Sequence, residues 1–398
     1  MIKKGILIIV ILGFGMFSIA QTNIREITKE IVSNNLSIQA LALENQMKRF
    51  ENREELIPDD PEIGYSYLWG SPSFVGNRTD LNANQRLKFP TYYAKRKKLN
   101  NLFGDLYAKE LEVEINQVIF NTLDILIDLA SSSERKALLI ERLDRLQQIH
   151  ELANQKFKAG EANRIEVEKA SLLVDTYQQD LLLINSEERI LHRRLVSLNS
   201  DQPITIQEPD YSDFSVLIGS GDSGDALSGN PAIEAAEINS RVAEADIELA
   251  RTGFLPDIIV GYSSEAIKGE KLGGVEMGIS IPIWGKPNQV NKAKLKKELF
   301  DKRLGLTSQI IQNDWDNLDE MARQSLEIRN NLEASLASMK TKELLEKSWQ
   351  IGEISLLDYL KELPFYYGVE DRVVEAENQY YKSLLNKNKY HLGGMLRR

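Results

Sequence analysis

Two short stretches, one in each half of the sequence, decide how the chain folds. They read Phe157-Lys158-Ala159-Gly160-Glu161, leading to Ile165-Glu166, and Trp349-Gln350-Ile351-Gly352-Glu353, leading to Leu357-Asp358. An aromatic residue, a glycine, an acid, an aliphatic residue and a second acid recur in the same register. Because glycine accepts a backbone φ above zero at little cost, each stretch predicts a tight turn between two helices.

Three further landmarks recur in the same order and indicate an internal duplication with an offset of about 192 to 197 residues. They pair Asn35-Leu36-Ser37-Ile38-Gln39-Ala40 with Asn230-Pro231-Ala232-Ile233-Glu234-Ala235, Ile57-Pro58 and Ile63-Gly64-Tyr65-Ser66 with Leu255-Pro256 and Val260-Gly261-Tyr262-Ser263, and Phe89-Pro90 with Ile281-Pro282. The sequence therefore predicts a first repeat at 21–199, a connection at 200–229 and a second repeat at 230–398.

Apolar residues spaced three or four positions apart predict a long helix before each turn. These runs extend from about Ala94 to Gln155 and from Lys292 to Ser348, and neither contains proline. Each would hold about 60 residues and measure roughly 90 Å, which is typical of coiled-coil helices. The pattern resumes over Ile165–Leu198 and Leu356–Leu392, so we expect two long antiparallel helical hairpins.

Two segments in each half alternate apolar and polar residues and predict β-strands. They are Ile63 to Trp69, Leu81 to Phe89, Ile258 to Ser264 and Val275 to Ile283, with loops at Gly70–Asp80 and Lys268–Gly274. One face is continuously apolar, whereas Arg86, Lys88 and Glu276 on the other face suit a watery lumen. This pattern favours transmembrane barrel strands over a small soluble sheet packed on helices.

Four strands cannot close a barrel, and an open sheet edge in lipid would leave backbone groups unpaired. Subunits must therefore pool their strands. Because the smallest usual membrane barrels have about eight strands, a dimer, a trimer or a tetramer would satisfy this requirement.

The N-terminus and the composition restrict the compartment and the class of protein. Residues 1–20 read as a signal peptide, with Lys3 and Lys4 before an apolar run and Ser18-Ile19-Ala20 as the cleavage site. The 398-residue chain has a net charge of −10, which argues against nucleic-acid binding. It contains no cysteine, and no later segment is apolar enough to predict a transmembrane helix.

Together these features resemble the TolC-type outer-membrane factor family. The resemblance covers essentially the whole mature chain, and its most specific parts are the two turns and Thr252-Gly253-Phe254-Leu255-Pro256, which is similar to the family's entry into the second β-hairpin. It implies a mainly α protein with membrane β-structure, located in the outer membrane of a Gram-negative-type cell. In a homotrimer, twelve strands would form one β-barrel, and long coiled-coil hairpins would continue it as a periplasmic tunnel.

The resemblance implies a passive exit duct and not an enzyme. A periplasmic adaptor, or membrane fusion protein, would join the duct to an inner-membrane pump, for which the resistance-nodulation-division class is a candidate. The cargo would be small toxic compounds, metal ions or secreted proteins. Lys88-Phe89-Pro90-Thr91-Tyr92-Tyr93 looks similar to family members found with heavy-metal pumps.

The resemblance also implies roles for residues at the two turns. Those expected to contact the adaptor are Phe157, Gly160, Glu161, Gly352 and Glu353. Those expected to close the tip are Trp349, Glu166 and Asp358, although Trp349 could equally be a core residue of the coiled coil. In some family members a second aspartate follows the first by about one helical turn, and the two form a double acidic ring at the constriction. This chain has Lys361 at the second position, so it departs from that pattern.

The sequence gives little support to other kinds of function. His150, His192 and His391 each stand alone on a helical segment, so neither a metal site nor a cofactor is predicted. The segment Gly219–Asp225 lacks the defining residues of a phosphate loop or an EF-hand loop. The rival hypothesis is a secreted coiled-coil structural protein without a pore. A periplasmic binding protein is disfavoured because such long hairpins leave no globular pocket.

Overall fold

A computed structural model describes residues 19–72, 74–206, 209–218, 226–283, 287–338 and 341–397. Most of the predicted signal peptide, the segment Gly219–Asp225 and Trp284 lie outside these ranges. The chain divides into two compact units. We call them the sheet unit, Ser37–Glu114 with Asp225–Asn313, and the hairpin unit, which takes the described residues of 1–36, 115–224 and 314–398.

A helix, a β-hairpin and a long helical hairpin occur in this order twice along the described chain. The first series is α1 (Ile19–Asn34), α2 (Leu36–Glu54), β1 (Glu62–Leu68), β2 (Arg78–Leu87), α3 (Pro90–Lys158), α4 (Arg164–Leu198) and α5 (Tyr211–Ile218). The second is α6 (Pro231–Thr252), β3 (Asp257–Ile267), β4 (Glu270–Ser280), α7 (Pro287–Ser338), α8 (Thr341–Gln350), α9 (Leu356–Lys387) and α10 (Leu392–Arg397).

The four strands form one antiparallel sheet in the order β1-β2-β3-β4. The loop expected at Lys268–Gly274 is wrong, because β4 already begins at Glu270. Lys268 and Gly269 both have positive φ, 49° and 91°, and form a two-residue hairpin turn. Such a turn matches the twist of paired strands. This turn was not predicted because Gly273 and Gly274 suggested that the loop continued to residue 274.

The register of the sheet separates its two faces as the alternation predicts. Leu87, Ile258 and Ile279 are paired side by side and lie on one face. Arg86 and Ile259 form the next pair along these two strands, and because side chains alternate, they lie on the other face. Asn84, Gly261 and Glu276 also share that second face, since they pair across three strands. We call the two sides the apolar face and the polar face.

Four helical segments of the sheet unit lie in the order α2, α3, α6, α7. Asn45 on α2 donates a hydrogen bond to the Tyr107 carbonyl on α3, at 3.1 Å. An apolar cluster joins α3 to α6, and Lys296 on α7 pairs with Asp246 on α6 at 2.5 Å. This order leaves α2 and α7 at the two edges, and each edge helix is followed or preceded by an edge strand of the sheet.

The hairpin unit contains the two predicted helical hairpins. Arg135 and Lys136 on α3 form ion pairs with Glu187 and Glu188 on α4, which holds the first hairpin together. The second was predicted to enter through one helix reaching Ser348. Residues 339–340 lie outside the described ranges, and the chain is helical on both sides of them, in α7 up to Ser338 and in α8 from Thr341.

The return helix of the second hairpin, α9, is shorter than predicted and ends at Lys387 instead of Leu392. Helix α9 contains Pro364 in its interior. None of the described helices is both long enough and apolar enough to cross a membrane.

Candidate functional site at the hairpin tips

The two duplicated turns have the same backbone geometry. Gly160 has φ of 81° and Gly352 has φ of 82°. Glu161 N–H donates to the Lys156 carbonyl at 2.9 Å, and Glu353 N–H donates to the Ser348 carbonyl at 2.8 Å. A Cβ added at either glycine would meet nothing within 4 Å. The glycines are therefore required by the backbone conformation, and each turn presents an open surface.

Glu166 and Asp358, which follow the turns, interact with the residues that cap the next helices. The Asn163 side chain accepts a hydrogen bond from Glu166 N–H, and the Glu166 carboxylate accepts one from Asn163 N–H, which completes a capping box at the start of α4. Ser355 caps α9 by accepting from Asp358 N–H at 3.1 Å. Each acid thus has a local structural role in addition to any role at a gate.

Asp358 is held by two neighbours at the start of α9. The Ser355 hydroxyl donates to its carboxylate at 2.7 Å, and Lys361 Nζ lies 3.4 Å from the same carboxylate. The hydrogen bond from Ser355, and then the charge of Lys361, lower the pKa of Asp358. Lys361 therefore offsets the negative charge that the resemblance implies here.

Trp349 lies in the core of the hairpin unit. It is 8% exposed, and its ring stacks on Tyr359 with centroids 5.2 Å apart. Lys156 Nζ lies 5.6 Å from the centroid of the indole. Phe157, at the corresponding position of the first turn, is 44% exposed. The pseudo-equivalent aromatics thus differ, and Trp349 has the packing expected of a core residue.

A buried arginine network beneath Trp349 was missed by the sequence analysis. The Arg142 side chain on α3 is only 4% exposed and pairs with Glu370 at 3.0 Å and Asp371 at 2.8 Å on α9. It also donates to the Tyr367 carbonyl at 3.1 Å, and its guanidinium lies 4.6 Å from the Tyr367 ring centroid. Burial raises the pKa of Tyr367. No sequence signal distinguishes Arg142 from the surface arginines of a coiled coil.

A second arginine one helical turn further along α3 extends this network to α8. Arg145 pairs with Glu346 at 2.8 Å. Burial raises the pKa of Tyr359, and the nearby Arg145 opposes that rise. The two arginines therefore connect α3 to α8, close to the turn, and to α9, about four helical turns from its start.

The polar face of the sheet carries the charged residues that were expected in a lumen. Arg86 and Glu276 lie on this face, as described above, and Lys88, just beyond β2, pairs with Asp257 at 3.0 Å. Below the face lies a cavity of about 620 Å³ whose lining includes Tyr92, Lys292 and Lys296. Within the described ranges, no three His, Asp or Glu side chains lie close enough together to hold a metal ion.

The fold was compared with known proteins. No protein-family model matches the sequence, and neither does any curated protein. Solved structures do match. The outer membrane channel CmeC of Campylobacter jejuni has a TM-score of 0.76 at 19% identity, over 94% of this chain and 86% of that one. CusC has a TM-score of 0.77 at 16% identity, over 92% and 91% of the two chains.

The open-state outer membrane channel MtrE of Neisseria gonorrhoeae matches over the whole of this chain and 98% of its own, with a TM-score of 0.68 and 16% identity. The protein therefore has the fold of these outer-membrane channels. The fold expected from the resemblance, long helical hairpins with four strands in one sheet, is confirmed.

Proposed function

We propose that the protein is an outer-membrane exit duct of a tripartite efflux or secretion system. In this proposal it is a passive homotrimer whose hairpin tips dock on a periplasmic adaptor, which connects them to an inner-membrane pump. Small toxic compounds or heavy-metal ions are the cargo that we favour, given the segment Lys88–Tyr93. The observation that carries the proposal is a two-faced sheet with free edges, attached to long hairpins in the fold of outer-membrane channels.

The edges of the sheet unit support head-to-tail assembly of identical chains. On α2, Leu43, Met47 and Phe50 are at least 60% exposed, and their spacing is that of one helix face. On α7, the exposed leucines are Leu295, Leu299 and Leu306. The edge strands β1 and β4 are adjacent in sequence to α2 and α7, respectively. Joining β4 and α7 of one copy to β1 and α2 of the next buries both stripes and generates a ring.

A heat-modification experiment separates this proposal from the rival coiled-coil structural protein. Outer-membrane extracts are run on a denaturing gel with and without boiling. A closed barrel resists detergent, so a trimer band that collapses on boiling is expected. Migration as a monomer in both samples would favour the structural protein.

Aspartate substitutions test which face of the sheet contacts lipid. Ile279→Asp places a charge on the apolar face. It is expected to cost less than the about 2 to 4 kcal/mol of a lysine or arginine at the bilayer midplane, but the yield of heat-modifiable trimer should still fall. Ser280→Asp, the next residue on the polar face, is the matched control and should assemble. Normal assembly of the first variant with failure of the second would reverse the two faces.

Substitution of the tip glycines tests adaptor docking. Gly160→Val and Gly352→Val place branched side chains where φ is positive, so each turn should distort while the trimer remains intact. We expect transport to fall in a strain that lacks the native gene. Gly→Asn variants are the control, since asparagine tolerates positive φ and separates backbone strain from a blocked surface. Full transport by the double valine variant would remove the tips from docking.

A further inference from the structure

A basic segment follows the sheet in each half of the chain. Residues 88–98 contain Lys88, Lys95, Arg96, Lys97 and Lys98, and residues 287–297 contain Lys292, Lys294, Lys296 and Lys297. Neither segment contains an acid, although the whole chain has a net charge of −10. Each half of the chain therefore has a run of basic residues without acids at the start of its long helix, α3 or α7.

Part of this charge is neutralised within the chain. Lys95 pairs with Glu248, Lys296 with Asp246 and Lys297 with Asp301. Lys98 is 59% exposed and reaches Glu248 only at 3.8 Å. Lys97 and Lys294 are exposed, and no acid among the described residues pairs with either of them.

The exposed lysines lie away from the cavity beneath the polar face. Tyr92 and Lys292 line that cavity. At about 100° per residue, Lys97 and Lys98 lie about 140° and about 240° around α3 from Tyr92. Lys294 lies about 200° around α7 from Lys292. Around α3, Lys97 lies about 200° from Leu99, which contacts α6, and about 60° from Asn100, which contacts α2. These lysines therefore belong to the side that continues the apolar face.

The distance of Lys97 and Lys294 from the sheet matches the position of the lipid headgroups, if the sheet lies in the membrane. Both lysines stand seven residues after the first residue of their helix, Pro90 or Pro287, which is roughly 10 Å along the axis. A polar headgroup layer extends roughly 5 to 8 Å beyond the hydrocarbon, and long lysine side chains can reach back toward it. Tyr93, whose hydroxyl accepts a hydrogen bond from Lys88 N–H, lies between the strands and the lysines. Tyrosine is enriched at this interface.

We propose that Lys97, Lys98 and Lys294 form a collar that binds the headgroups of anionic phospholipids in the periplasmic leaflet. This inference rests on the proposed function, because it requires the sheet to lie in the outer membrane. The ligand is an anionic phospholipid and not a soluble anion, since the lysines stand just beyond an apolar face and a tyrosine. In a trimer the collar contains nine lysines at one depth.

Native mass spectrometry of the full-length, detergent-purified protein tests the collar with phosphatidylglycerol and phosphatidylcholine as probes. The wild type should bind phosphatidylglycerol more tightly than phosphatidylcholine. Lys97→Gln, Lys98→Gln and Lys294→Gln combined should weaken phosphatidylglycerol binding on the order of a hundredfold and leave phosphatidylcholine binding unchanged. The matched control combines Lys29→Gln, Lys158→Gln and Lys347→Gln, which remove three exposed charges from the hairpin unit, and should bind as the wild type does.

Two outcomes overturn the collar. One is an unchanged affinity for phosphatidylglycerol in the variant that lacks Lys97, Lys98 and Lys294. The other is an equal loss in both variants, which would reflect total charge only. Failure of the duct itself is distinguishable, because it would appear as wild-type protein without a heat-modifiable trimer and without conductance in an uncharged bilayer.

Discussion

Replacing Arg142 with methionine should loosen the hairpin tips and raise single-channel conductance several-fold in planar bilayers. The substitution leaves Glu370, which is largely buried, and Asp371 without their cation. Removing one partner of a buried ion pair typically costs about 3 to 5 kcal/mol, because the other charge stays desolvated. The cost falls on the contact between α3 and α9, about four helical turns from the start of α9.

Arg135→Met is the matched control for this prediction. Arg135 lies on the same helix and pairs with Glu187, but both side chains are more than a third exposed. Such exposed pairs contribute about 1 kcal/mol or less. We expect the conductance of this variant to equal that of the wild type. If Arg142→Met behaved like this control, the buried network would have no part in closing the tip.

Trp349→Ala should also open the tip, and Asp358→Ala should weaken cation preference. Removing a buried tryptophan costs about 3 to 5 kcal/mol through lost contacts and the cavity that remains. Asp358 is exposed, so its loss changes the local charge more than the packing. The double variant should therefore have higher conductance and lower cation selectivity in bilayer recordings.

Phe157→Ala serves as the control, because this residue has the same place in the first turn but is 44% exposed. It should leave conductance unchanged. Wild-type conductance in the variant that lacks both Trp349 and Asp358 would indicate that Trp349 is only a core residue of the coiled coil.

Most of the fold was readable because the information is local and repeated. Positive φ at Gly160 and Gly352 follows from residue type and from the duplication. The two faces of the sheet follow from the alternation of mostly apolar and mostly polar residues along β2 and β4. The turn at Lys268 was not readable, since a lysine with positive φ depends on strand pairing across the hairpin. The helix through Pro364 was predicted from its apolar periodicity, although proline disfavours a helix interior.

The candidate site was less accessible to sequence analysis for a physical reason. Capping by Asn163 and Ser355 follows recognisable local patterns, but the burial of Arg142 is decided by helices that are distant in sequence. An arginine on a coiled-coil helix is ordinarily solvated, so its residue type predicts exposure. Likewise, nothing in the sequence explains why Trp349 is buried while Phe157 is exposed.

The free edges of the sheet have a consequence for inheritance. If β4 of each chain must find β1 of another, a chain with one damaged edge can still join a ring through its intact edge and then prevent closure. With equal amounts of damaged and intact chains, only about one in eight of the proposed three-subunit rings would contain intact chains alone. Edge mutations should therefore be dominant over a wild-type copy of the gene, whereas mutations that unfold the whole chain should be recessive.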